Sequence, residues 1–353
     1  MYYFKNLYIF FIILSLNIFF FSTANLNAKA FLIEDIEISE PFKNSFDKNS
    51  LINKGFENAF FKLINSLVKS SDIKRINKVK LNEIKSMIET FSIKEEKFIN
   101  QIYYVNLGVS FDKRKIFNFL EKKNIFPTQI IEETFLFIPI IFDQSDDEMK
   151  IYSNNPLYKN WNKFNDVNYS IKYLLPTEDL DDINLIKTNR NIIERYDFKK
   201  ITNKYFLNHS IISLIFKNEN ETKILSRINI KNKTIIKNNS FKNINFKNEE
   251  EIKILISKLK VIYEDLWKEH NQINTSIKLP LIIRVNNKDL NKSLEFEEVL
   301  ETIDLISNFT INRFDKDFIY FEVIFNGTPN KFINIMSNKN YNFDTQKKIW
   351  ILK

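Results

Sequence analysis

The sequence predicts a mixed α+β / α/β protein of three small sheet-and-helix domains, the last a ferredoxin-like β-α-β-β-α-β unit. Three observations predict it. Tyr103, Val105, Leu107, Val109 and Phe111 are separated by residues such as Asn106, Gly108 and Ser110, the period of a strand with one buried face. Apolar stripes of helical period, clearest over 52–68 and 252–267, stand between such strands. The 353 residues exceed one ordinary core, so several domains are expected. The expected divisions are a signal peptide over 1–30, an N-terminal α+β domain over 31–130, a central α/β domain over 131–272 and the ferredoxin-like domain over 273–353.

In chain order, Lys5 precedes an apolar run over 7–21 broken only by Ser15 and Asn17, and Ala28-Lys29-Ala30 closes it with an A-x-A end. That is the order of a secretory signal, with cleavage expected after Ala30. The run falls short of the roughly 20 residues a span needs, which favours cleavage over an uncleaved anchor.

A short strand over 33–38 closes at Pro41, and Asp47 or Asn49 opens a helix with Ile52, Phe56, Ala59, Phe60, Leu63, Ile64, Leu67 and Val68 on its buried stripe. Leu81, Ile84, Met87 and Ile88 suggest a second helix, and a strand over 91–99 pairs with 102–111. Asp112 caps a helix that buries Ile116, Phe117 and Leu120. The run from Phe135 to Phe142 is apolar on both faces, as a sheathed strand should be, although Pro139 removes a ladder donor and argues for a bend or an edge.

Asn155 and Pro156 start a helix carrying Leu157, Trp161 and Phe164. A strand over 171–175 ends at Pro176, and Thr177 caps a helix with Leu180, Ile183 and Ile186 inward. Ile192, Ile193 and Tyr196 suggest another. Strands over 209–216, 223–230 and 234–237 follow, and Asn248 with Glu251 forms a capping-box-like start to a long helix ending near His270. After a polar linker over 271–278 come strand 279–285, helix 294–305, strand 309–314, strand 318–325, helix 329–337 with Thr328 and Pro329 at its start, and a final strand ending at Leu352.

Composition excludes several chemistries. No cysteine is present, which removes disulfides, thiolate metal sites, cysteine nucleophiles and a lipidated cysteine at the leader junction. The three glycines, Gly55, Gly108 and Gly327, are too scattered for a P-loop, a dinucleotide fingerprint or a nucleophile elbow. The formal charge of +8 is spread without a dense basic block, so a solvated surface is expected and no nucleic-acid partner.

His209 and His270 lack H-E-x-x-H spacing and read as structural. Asp143, Asp146, Asp147 and Glu148 follow a strand at its carboxyl end, where α/β sheets often place sites; no glycine supports a calcium loop, and a solvated loop is the simpler reading. Glu178, Asp179, Asp181 and Asp182 could supply paired carboxylates, but helix-start electrostatics explain the first two. Trp161, Trp267 and Trp350 read as core. No catalytic, cofactor-binding or metal residue is assigned, and no cofactor is expected.

The leader, the helix around 55–68, Tyr103-Tyr-Val-Asn-Leu-Gly-Val-Ser-Phe-Asp112, the strand 135–143, Asn155-Pro-Leu-Tyr-Lys-Asn-Trp161 and Leu174-Leu-Pro-Thr-Glu-Asp-Leu-Asp-Asp-Ile183 together resemble an uncharacterised family of exported proteobacterial proteins, domain of unknown function 2066. The resemblance implies export and carries no activity, cofactor or catalytic residue. The expected function is an exported periplasmic cell-envelope protein, a non-enzymatic binding or assembly factor with envelope protein partners. Peripheral membrane association stays open. The alternative is an envelope hydrolase with Asp143, Asp146 or Asp179 as acid and base.

Overall fold

The computed structural model describes residues 30–144, 146–164, 169–231, 233–242, 244–287 and 290–353; apart from Ala30, the expected leader lies outside them. The fold is mixed α+β, with sheets of three, six and five strands. Its contacts form two compact units, one comprising, among the described residues, 30–63 with Lys78–Pro127 and Ile273–Lys353, the other Ile64–Asn77 with Thr128–Gln272.

In the first unit, β1 (Ala30–Pro41), β2 (Ile88–Ile99) and β3 (Ile102–Asp112) make an antiparallel sheet in the order β1-β3-β2. Asn100 and Gln101 both take positive φ, the two-residue turn whose twist suits a hairpin. Val105, Leu107, Val109 and Phe111 are buried, as the period-two pattern predicts, and so are Phe56, Ala59, Phe60 and Leu63 of helix α1 (Lys48–Leu67), with the Phe60 and Phe111 rings 6.2 Å apart. Gly55 lets α1 lie close, since a Cβ there would stand 2.5 Å from Leu107 Cδ1 and 2.9 Å from Ile38 Cδ1. Helix α2 (Leu81–Met87) leads into β2. Asp112 caps helix α3 (Lys113–Lys122) by accepting from Lys115 N at 3.1 Å.

The five-stranded sheet of the same unit is built from β10 (Leu279–Asn286), β11 (Ile306–Phe314), β12 (Phe318–Phe325), β13 (Phe343–Asp344) and β14 (Ile349–Leu352), in the order β11-β12-β10-β14-β13. Helices α8 (Leu290–Thr302) and α9 (Pro329–Ser337) complete the β-α-β-β-α-β succession. In the plain version of that unit the last strand lies antiparallel beside the first. Here β13 intervenes, the chain reverses, and β14 runs parallel to β10. Phe296, Phe321, Phe325 and Phe332 fill the core, and Thr328 caps α9 by accepting from Lys331 N.

In the second unit, β4 (Glu133–Asp143) is parallel to β7 (His209–Lys217), which continues antiparallel into β8 (Glu221–Ile230) and β9 (Lys233–Lys242). The other side of β4 is shared: β6 (Ile171–Leu174) pairs parallel with Glu133 to Leu136, and β5 (Glu148–Lys150) pairs antiparallel with Ile141 to Asp143. Pro139 falls in the gap between them, where no ladder partner exists on that side.

Alternate residues of β4 face two cores. Phe135, Phe137 and Ile141 pack with Leu255, Ile256, Leu259 and Tyr263 of helix α7 (Glu249–His270). Leu136, Ile138, Ile140 and Phe142 pack with Ile186 of helix α5 (Leu180–Thr188) and Ile201 of helix α6 (Lys199–Thr202). The unit therefore has three layers. The expected helix through Trp161 stops earlier, because helix α4 spans only Pro156–Asn160 and Trp161 turns inward as its C-cap.

Candidate functional site

The parallel pair β4 and β7 ends in register at Asp143 and Lys217, so an acid and a base meet at the carboxyl edge of the second unit's sheet. Lys217 Nζ donates to Asp143 Oδ2 at 3.1 Å, and Asp143 is only 3% exposed. Around this pair opens a cleft of about 380 Å³, with Asp146, Lys150, Lys159 and Lys247 in its lining. Lys150 also pairs with Glu148 at 3.1 Å. Lys159 and Lys247 make no ion pair among the described residues. Four ammonium groups thus meet two carboxylates, an arrangement suited to an anionic group.

The first acidic cluster of the sequence is therefore divided. Asp143 lies on the cleft floor, Asp146 on its exposed lining, Asp147 pairs with Arg190, and Glu148 with Lys150. The second cluster is tied together by Lys204, whose Nζ lies 2.7 Å from both Asp179 Oδ2 and Asp182 Oδ1. Asp179 also caps α5 by accepting from Asp181 N at 2.8 Å. The Lys204 ammonium, followed by that backbone donor, holds the Asp179 carboxyl below the usual carboxylate range. Asp182 is wholly buried and accepts from the Tyr152 hydroxyl at 3.3 Å. Burial, with the Asp182 charge second, pushes the Tyr152 phenol far up. Lys204 was not marked by the sequence, because nothing local to Asn203 or Tyr205 indicates a reach back to the start of α5.

The two histidines both meet one indole. His209 stacks on Phe135 at 4.8 Å and meets Trp267 edge-on at 5.4 Å, while His270 stacks on Trp267 at 5.7 Å. His209 Nδ1 accepts from Lys231 N at 3.3 Å. Burial lowers both imidazoles below their ordinary value, assisted at His270 by Lys233 and Lys231. Among the described residues no group of three or more His, Asp or Glu side chains is placed to hold a metal ion.

Trp161 stacks on Phe137 at 3.8 Å in the core, and Trp267 is buried with its Nε1 donating to Ile131 O at 2.8 Å. Trp350 is half-buried against Phe332 and Phe343. Among the described residues no helix is long and apolar enough to cross a membrane.

Comparison with known protein families finds no family model that matches the chain, and comparison with curated proteins finds no match.

Proposed function

We propose that this chain is an exported protein of the periplasmic cell envelope, a non-enzymatic binding or assembly factor that receives an acidic segment of an envelope partner in the cleft at the ends of β4 and β7. The observation that carries the reading is the cleft's lining: Lys150, Lys159, Lys217 and Lys247 against Asp143 and Asp146, with the floor carboxylate already paired. Export is supported by the charged, apolar and small-residue order over 5–30 and by the resemblance to an exported family.

A hydrolase reading asks one of Asp143, Asp146 and Asp179 to donate a proton. Asp179 is held ionised by Lys204, and Asp143 already accepts from Lys217 Nζ at 3.1 Å. Two measurements test the proposal. Titration of a glutamate-rich peptide into the full chain should saturate, weaken as salt rises from about 50 to about 500 mM, and vanish in the Lys159→Glu/Lys247→Glu double variant. Unchanged binding in that variant refutes the cleft. Fractionation with N-terminal mass determination should find a periplasmic chain beginning at Phe31, and a cytosolic chain retaining Met1 refutes export.

A further inference from the structure

A second cleft lies within the first unit, between α3 and the start of the edge strand β11. Its volume is about 50 Å³, room for a few water molecules or one small chemical group. At its floor two polar side chains, each 2% exposed, have no hydrogen-bond partner: Thr275 through its hydroxyl, and Asn326 through both the oxygen and the nitrogen of its carboxamide. Buried polar atoms are otherwise nearly always paired, and leaving three of them open at one cavity floor is costly.

The position of Asn326 is set by the fold. Its backbone N–H donates to Leu305 O at 2.7 Å just past the end of β12, which anchors the residue in the cleft lining. The walls are apolar, from Phe117 and Leu300. The rim charges balance: Lys113 pairs with Asp304, Lys278 lies 3.4 Å from Glu121, and Arg114, which donates to the neutral Asn308 Oδ1 at 3.1 Å, shares the lining with Glu301. A rim so balanced offers no net attraction to an ion and favours a neutral polar group. The complement of an open carboxamide is a second amide, which presents a donor and an acceptor side by side.

We infer that this cleft binds an amide group, supplied either by the main chain of a peptide segment or by an asparagine or glutamine side chain, through Asn326 as the two-point contact and Thr275 as a third. The site is separate from the basic cleft of the second unit and does not depend on it.

The test follows the Asn326 side-chain NH2 resonances of the full chain during titration with three small probes. N-methylacetamide stands for the peptide unit, acetamide for a side-chain carboxamide, and methyl acetate is the near-isostere without an N–H. At least one amide should shift the Asn326 resonances saturably, and methyl acetate should bind about tenfold more weakly, the worth of one net hydrogen bond. Saturation by N-methylacetamide alone assigns the main-chain source, and by acetamide alone the side-chain source. The Thr275→Val variant should weaken whichever binds. Equal binding of the ester, or resonances that show exchange with water and no response to either amide, overturns the inference. The probe comparison uses the unaltered protein and so stands even if variants at Asn326 fail to fold.

Discussion

The side-chain nitrogen of Asn155 donates to the carbonyl oxygen of Pro139 at 2.9 Å, in the interval of β4 that neither β6 nor β5 covers. The same nitrogen lies 3.3 Å from Lys150 O, and the side-chain oxygen accepts from Leu157 N at 2.9 Å and Tyr158 N at 3.3 Å. One wholly buried side chain thus caps α4 and completes a strand interrupted by proline. Asn155→Ala removes the cap, worth about 1 kcal/mol, and strands a buried carbonyl at a further 1–3 kcal/mol, so a loss of about 2–4 kcal/mol is expected. Urea unfolding of the second unit's transition checks it. Asn155→Asp keeps the cap acceptor but sets a buried carboxylate against the Pro139 and Lys150 carbonyls, and should cost at least as much as alanine.

How much of this was legible follows from what each feature depends on. The buried faces of β3, β4 and α7 are written in local periodicity, because burial repeats every two or every 3.6 residues whatever the partner. Asp143 at a strand end was legible for the same reason. Its partner Lys217 was not, since registering β4 against β7 is a property of two distant segments. Pro139 announced an edge, but which strands leave it uncovered depended on the pairing of β5 and β6. The over-long reading of α4 came from Trp161 and Phe164, whose helical spacing reflects a turn folded onto the core. The additional strand β13 has two residues, too few for any period to show.

Gly55 is the contact point of α1 with its sheet. Alanine usually stabilises a helix interior by up to about 1 kcal/mol relative to glycine. Here the added methyl would meet Leu107 Cδ1 at 2.5 Å and Ile38 Cδ1 at 2.9 Å, and overpacking of this kind costs about 1–3 kcal/mol. Gly55→Ala should therefore destabilise. Combined with Leu107→Val, which retracts the nearer atom, it should cost less than the sum of the single changes. A double-mutant cycle in urea reads the difference, and strict additivity would disprove the contact.

Lys204 holds two carboxylates, one of them inaccessible to solvent. Lys204→Met leaves the buried Asp182 carboxylate without its cation, with the Tyr152 hydroxyl still donating to it. Loss of a partner from a fully buried pair costs about 3–5 kcal/mol; Lys204 is itself partly solvated, so about 2 kcal/mol is expected. The pH dependence has a definite sign. The folded state depresses the Asp179 carboxyl, so its contribution is complete above the unfolded value near 3.9 and disappears as pH falls through the lower folded value. The variant should show a shallower acid limb of stability below about pH 4. Unfolding midpoints at successive acid pH values for the two proteins measure it.

His209 and His270 add a second acid limb, at higher pH. Both imidazoles are lowered in the folded state, first by burial, so between the folded values and the unfolded value near 6.5 the unfolded chain binds more protons. Stability therefore rises with pH through this window and is lost as the solution becomes acid. His209→Phe preserves a ring against Phe135 and Trp267 and removes the group that would have to charge, while giving up the acceptor for Lys231 N. The variant should lose some stability at pH 8 from that hydrogen bond, about 1 kcal/mol, yet show a smaller fall between pH 8 and about pH 5 than the unaltered chain. Parallel pH slopes for the two proteins would mean that His209 is not a source of the acid sensitivity, and His270→Gln would then be expected to carry it.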